Sequence, residues 1–303
     1  DAIKIQTYTA DTITLDSKKD LFKINQGTHW DGQYLYDLYK EAFLPWEWHS
    51  KIFSHARKLG LIPFSTPFDN SSVDFLETLD VDCYKIASFE NTDVNLIRKV
   101  ASTGKPLIVS TGMMDLAEMD EMVRTARDAG CEDLILLKCT STYPSTPEGT
   151  NISTIPHMRQ MFGCEVGLSD HSMGTGVSIA SVAMGASVIE KHFTLDRKEG
   201  GIDSTFSMEP SEMASLVIES KRAWQSLGEI SYGPNENELL SRKYRRSLYI
   251  VEDMEAGEII TENNMRAIRP GLGLATKYYQ HLLGKKACRA VKRGTAVNWD
   301  ILA

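Results

Sequence analysis

The chain has 303 residues, 42% hydrophobic and 24% charged, and its 33 Lys and Arg against 41 Asp and Glu leave a net charge of −8. That composition suits a globular chain with room for one large α/β domain and a small one. The acidic balance argues against nucleic acid or an anionic membrane as partner, so an anionic ligand must be met by locally placed cations.

No run of about 18 apolar residues is present and the N-terminus lacks the basic-then-apolar pattern of a secretory signal, so a cytoplasmic chain without a membrane span is expected. Five cysteines, an odd number without a C-x-x-C pair, fit a reducing compartment. They read as buried small hydrophobes.

Short β-branched or apolar runs recur along the chain: Ala2–Thr7, Leu61–Thr66, Cys83–Ser88, Pro106–Thr111, Leu134–Thr140, Glu165–Ser169 and Ser187–Phe193. From the second onward their starts lie about 20 to 30 residues apart, the length of a βα unit. Helical patterns fall between them at Val73–Leu79, Asn95–Ser102, Leu116–Ala129 and Val177–Met184, and a last one runs from Pro210 to Leu227. The stretch Leu15–Trp48 is long and aromatic and reads as an excursion over the mouth of the fold.

Each run ends in polar residues, among them Gln6, Thr66, Lys85, Ser88, Glu90, Ser110, Ser141, His171 and His192. Apolar strands with chemically useful ends are the pattern of a (β/α)8 TIM barrel, whose active site is built at the strand C-termini. A Rossmann sheet is the competitor, but no G-x-G-x-x-G follows the first strand. Seven strands are visible where closure takes eight. The expectation is a barrel lacking its first βα unit, with Asp1 not the native start and an open slot between the first and seventh strands.

After the barrel region (1–228), residues 229–242 read as a polar, turn-rich linker. Residues 243–303 read as a small second domain of short β pieces, Ser247–Val251, Met265–Ile268 and Lys286–Val291. So small a core is marginal alone and is expected to dock elsewhere.

His171 and His192 end consecutive strands, and strands about 4.8 Å apart let two imidazoles converge on one divalent ion, a pair of structural histidines being the alternative for two ligands without a third. His29, His49, His55, His157 and His281 lack such placement and read as surface or loop residues. Lys4, Lys85, Lys138 and Lys191 lie in strands that otherwise read as buried. Inward lysines there imply an anionic ligand or paired carboxylates. With hydroxyls at Thr66, Ser88, Ser110 and Ser141 they make a cradle for phosphate and carboxylate. A structural network with Glu90 and Glu190 is the alternative. Asp203, in the Gly-rich turn after His192, is a candidate acceptor of substrate hydroxyls or a local cap.

The strings KIQTYTADT, FSTPFD, YKIASFE, IVSTGM, LLKCTSTYP, GLSDHS, VIEKHFTLDR, GGIDS and FSMEP resemble the sialic acid synthase family, whose members condense phosphoenolpyruvate with an N-acetylated sugar. The tail, with RRSLYIVEDMEAGEIIT, IRPGLGL and LLGKKA, resembles that family's small antifreeze-like (SAF) domain. Within the family, QTYTADT and WDGQYLYDLYKEAFLPWEWH look most like the pseudaminate-forming branch of bacterial surface-sugar pathways; neuraminate- and legionaminate-forming branches are the alternatives.

The resemblance implies that His171 and His192 are the ligands of a divalent metal, Mn2+ typically, with Mg2+ or Co2+ as alternatives. It implies phosphoenolpyruvate held by Lys4, Thr66, Lys85, Ser88, Ser110 and Ser141, with Glu90 between the two substrates as the catalytic carboxyl. Gln6, Tyr143 and Asp203 would hold the open-chain diacetamido sugar. Arg269 would reach the partner's site in a domain-swapped homodimer, which would give the small domain its docking surface. Ser141 stands where neuraminate synthases typically carry Asn, in keeping with the pseudaminate branch. From a different enzyme class, a metal-dependent barrel aldolase or hydrolase is the alternative.

Overall fold

The computed structural model describes residues 1–25, 27 and 30–303. The seven runs read as strands form one parallel sheet in chain order: β1 (Ala2–Thr7), β2 (Ile62–Pro67), β3 (Tyr84–Ile86), β4 (Leu107–Ser110), β5 (Leu134–Cys139), β6 (Glu165–Ser169) and β7 (Ile189–Glu190). Helices Trp46–Lys58, Asn70–Glu77, Val94–Ala101, Leu116–Asp128, Thr154–Phe162 and Gly176–Ala183 make the crossovers, and Pro210–Ser226 follows β7. Central strands are near-continuous apolar runs because a parallel sheet of this kind is covered on both faces. β3 and β4 are buried throughout, whereas most of β1 and all of β7 are not.

Strand alternation sorts these residues into two faces. Tyr84, Ile86, Leu107, Val109, Leu136, Val166 and Leu168 face outward and pack with helix residues such as Phe53, Leu76, Ile97 and Ile155 in the main core. On the inner face Phe64, Ile108 and Leu137, with Cys83, Ile135 and Val188, form a separate apolar plug. Toward the strand C-termini the inner positions carry Lys4, Gln6, Thr66, Lys85, Ser110, Cys139, Ser169 and Glu190, and they hold the site.

β1 and β7 are the edges of the sheet and are not hydrogen-bonded to each other, as expected of seven strands where closure takes eight. The sheet nevertheless curls far enough to bring Lys4 of β1 within 3.6 Å of Glu190 of β7. Gly167 makes the β6–β7 approach feasible, because a Cβ there would stand 2.2 Å from the Val188 carbonyl oxygen.

The structure corrects several expectations. The aromatic excursion ends in the helix Trp46–Lys58, which buries its His49 completely rather than leaving it on the surface. His49 Nε2 is hydrogen-bonded to Thr7 Oγ1 at 2.8 Å, and that hydroxyl pairs with Ser65 Oγ at 2.6 Å, so the imidazole ties the helix to the outer face of β1 and β2. His29 lies outside the described residues. The helix Thr154–Phe162 is also additional to the sequence reading. Within 229–242, read as a linker, the helix Glu236–Arg242 forms because Asn235 and Glu238 make a reciprocal capping box.

The chain divides into two compact units, Asp1–Gly228 and Glu229–Ala303. In the second, β8 (Ser247–Ile250) pairs antiparallel with β9 (Met265–Ile268) over a core of Leu248, Ile250, Met254, Ile260, Met265, Leu282, Val297 and Ile301. The run Lys286–Val291 contributes isolated bridges to Ile259, Leu302 and Met254 instead of a strand. All five cysteines are free, and Cys288 is exposed, unlike the buried role expected of it. Among the described residues no helix is long and apolar enough to cross a membrane.

Candidate active site

His171 and His192 each lie two residues beyond the end of a neighbouring strand, so the alternation that turns Ser169 and Glu190 inward turns both imidazoles inward as well. The ring centroids are 5.3 Å apart. His171 Nδ1 donates to the Thr140 carbonyl at 2.9 Å, and His192 Nδ1 stands 3.3 Å from Asp203 Oδ2. A hydrogen on each Nδ1 leaves each Nε2 with a lone pair, the tautomer a metal ligand needs. Tyr143 packs on His171 with centroids 4.4 Å apart, and Phe206 lies 5.0 Å from His192. Among the described residues no group of three or more His, Cys, Asp and Glu is arranged to hold a metal ion. The pair fits a divalent ion whose other positions fall to water or substrate.

Beside the histidines, the inner face carries cations and hydroxyls. Lys85 is only 1% exposed, and its Nζ donates to Ser110 Oγ at 2.7 Å and to the Ile86 carbonyl at 3.2 Å. Burial lowers its pKa, with Glu190 opposing. Lys4 and Lys85 each approach Glu190 Oε1 to 3.6 Å, and Ser169 Oγ donates to the same oxygen at 3.3 Å. Burial pushes the Glu190 carboxyl up, but Lys4, Lys85 and the two histidines outweigh it and hold the group at about 2. Thr66 Oγ1 is buried there without a partner.

A Cβ on Gly112 would lie 2.1 Å from Ser141 Oγ and 2.6 Å from Ser88 Oγ, so these hydroxyls close around bare backbone. Asn91 Nδ2 fixes that backbone by donating to the carbonyls of Ser110 and Gly112, both at 3.0 Å. Cys139 lies between this cradle and the histidines, 3.6 Å from Ser141 Oγ and 3.9 Å from His171 Nδ1. Burial raises its thiol, but His171, Ser88 and Ser141 bring it down to about 7.

Glu90 follows β3, with Oε2 buried and unpartnered. Burial raises its carboxyl to about 7, with Asp93 adding and Lys85 opposing. Such a group can give or take a proton near neutrality. Gln6 is half-buried on the inner side of β1, and Asp203 serves His192 directly. Arg269 lies in the second unit, exposed just after β9.

Two lysines leave the expected set. Lys191 faces outward, where its Nζ donates to Asp170 Oδ2 at 3.1 Å in a pair that is almost wholly buried. Lys138 shares the outer parity of Leu134 and Leu136, and its Nζ donates to the Cys139 carbonyl at 3.0 Å. Gly112 and Cys139 stand in the site without being singled out by the sequence, where Cys139 reads only as a buried small hydrophobe. The signal for both was spacing, two residues after Ser110 and two before Ser141.

A curled parallel sheet with an apolar plug, an inner-face anion cradle and paired imidazoles at the strand ends defines a barrel-type enzyme for an anionic substrate. Residues 1–232 match the NeuB family and residues 245–303 match the SAF domain. The chain belongs to the NeuB family. It is 44% identical to a pseudaminic acid synthase of Campylobacter jejuni, over 98% of this chain and 86% of that protein. A pseudaminic acid synthase of Helicobacter pylori is 42% identical, with 99% and 88% covered. Among solved structures, the N-acetylneuraminic acid synthetase of Leptospira borgpetersenii, in complex with citrate, matches with a TM-score of 0.70 at 30% identity over 79% of each chain. The spore coat polysaccharide biosynthesis protein of Bacillus subtilis matches with a TM-score of 0.64 at 27% identity, over all of this chain and 87% of the other.

Proposed function

We propose that the chain acts as a pseudaminic acid synthase, condensing phosphoenolpyruvate with 2,4-diacetamido-2,4,6-trideoxy-L-altrose and water to give pseudaminic acid and phosphate. One observation carries the reading: along nearly its whole length the chain is similar to pseudaminic acid synthases, and its anion cradle and paired imidazoles share one inner face.

Lys4, Lys85 and the hydroxyls of Thr66, Ser88, Ser110 and Ser141 hold the phosphate and carboxylate of phosphoenolpyruvate, and the lysines offset its charge as it shifts. The plug of Phe64, Ile108 and Leu137 keeps water from entering beneath. Gln6, Tyr143 and Asp203 orient the open-chain sugar, so that C3 of phosphoenolpyruvate attacks its aldehyde carbon. Positive charge then develops at the former C2, where the Glu90 carboxylate stabilises it or exchanges a proton at Oε2. Water adds there and phosphate departs with C–O cleavage. His171 and His192 would hold a divalent cation, Mn2+ first and Mg2+ or Co2+ as alternatives, which when bound supplies Lewis-acid polarisation of the aldehyde.

The protein works as a cytoplasmic homodimer in which Arg269 of each chain reaches the other chain's site. Apolar side chains left bare, including Val217, Ile218 and Trp224 on the helix after β7 and Ile230 and Tyr232 beyond it, support an association of copies. The test is phosphate release from phosphoenolpyruvate. It requires the diacetamido sugar and the divalent cation together; release without sugar, or none with all three present, sinks the reading.

A further inference from the structure

We propose that Glu190 is the positioning residue of the anion cradle: its carboxylate gathers Lys4 and Lys85, which come from non-adjacent strands, onto one point and releases them to the incoming phosphate. The inference rests on reading these lysines as the phosphate-holding cations.

Lys4 stands on one edge strand, Glu190 on the other, and Lys85 two strands in from Lys4. Backbone pairing links the two lysine strands only through β2, and the ion pair from Lys4 to Glu190 crosses the open side of the sheet, where no backbone pairing exists. Glu190 Oε1 supplies the shared point, 3.6 Å from each Nζ, while the Ser169 hydroxyl steadies it from β6. A charge-assisted hydrogen bond is about 2.7–2.9 Å long. At 3.6 Å neither cation is locked to the carboxylate, so both can turn to a stronger anion, Lys85 while still held by Ser110 Oγ.

Among the described residues Lys85 has no other carboxylate within ion-pair distance. The charged or titratable groups around it are Glu190 from β7, Lys4 from β1, Cys139 from β5 and, past the end of its own strand, Glu90. Two lysines and one carboxylate leave the cradle at a net single positive charge. Without Glu190, the buried Lys85 ammonium would lose its one ion-pair partner while Lys4 stays beside it, and it would hold its proton less firmly as pH rises.

The test uses the full chain with Glu190→Gln and Glu190→Asp, measuring kcat and KM for phosphoenolpyruvate from about pH 6 to 9 beside the unmodified enzyme, with melting curves. The Gln variant should raise KM about tenfold or more near neutrality, the scale of losing a hydrogen bond to a charged group. The ratio of its KM to that of the unmodified enzyme should grow with pH, while kcat changes less. The Asp variant, which keeps the charge but not the reach, should show a smaller rise and no added pH dependence. A KM ratio near one at every pH, with only the melting point lowered, assigns Glu190 a merely structural role and overturns the proposal. If the Gln variant does not fold, an Asp variant with unchanged KM overturns it equally. Failure of the unmodified enzyme to release phosphate would instead overturn the functional reading.

Discussion

Replacing Glu90 by Gln should make the free protein more stable and the enzyme far slower. Burial lifts this carboxyl from its ordinary value of 4.5 to about 7, and one decade of pKa corresponds to about 1.36 kcal/mol. The gap makes the ionised form about 3 kcal/mol less favourable in the fold than in the unfolded chain, and about 2–3 kcal/mol after allowance for its partial exposure. The sign follows from a folded pKa above the unfolded one. Glu90 costs nothing below about pH 4.5, and stability is lost as pH rises through about 7. Gln cannot ionise and escapes that loss. Urea unfolding of both proteins should give equal midpoints near pH 4 and a variant more stable by about 2–3 kcal/mol near pH 8.5. The rate of phosphate release should fall by at least about a hundredfold, the range for losing a positioned acid–base group. A Gln variant less stable than the parent at pH 8.5 would refute the reasoning, because Glu90 would then be an ordinary structural carboxylate.

Gly112→Ala places a methyl group where Ser88 and Ser141 close in, so KM for phosphoenolpyruvate should rise about tenfold or more while the chain still folds, at an overpacking cost of about 1–3 kcal/mol; steady-state kinetics and a melting curve check both halves. Asp203→Ala removes the acceptor that orients His192, and calorimetric titration with Mn2+ should show affinity reduced about 10–100-fold. Asp170→Asn leaves Lys191 buried without its counter-charge and should cost about 3–5 kcal/mol of stability in urea unfolding. Its surviving folded fraction should bind phosphoenolpyruvate with unchanged KM, since this pair lies on the outer face.

The barrel layer was legible because its period is local. Apolar runs with polar ends every 20 to 30 residues are what a buried parallel sheet with its site at one rim must look like. The open edge between β1 and β7 followed from counting strands. Which lysine mattered was harder to read, although strand parity was available: Lys85 sits between outward Tyr84 and Ile86, while Lys138 shares the parity of Leu134 and Leu136. The meeting of Lys4, Lys85 and Glu190 was not legible, because it depends on how far the sheet curls rather than on neighbouring residues. The helix Trp46–Lys58 was masked by its aromatic composition and by a Pro at its N-cap without side-chain capping. His49 was lost with it. Asp203 looked like a turn cap or a substrate acceptor, and only the fold shows it facing His192.

The central claim is a condensation in which phosphate leaves with its bridging oxygen while water adds to the carbon skeleton. Running the reaction with phosphoenolpyruvate, the diacetamido sugar and Mn2+ in heavy-oxygen water, and weighing both products by mass spectrometry, tests that claim directly. The account predicts one solvent oxygen newly bound at C2 of the sugar acid and none in the phosphate. Heavy oxygen in the phosphate, or phosphate formed without any sugar acid, would contradict it.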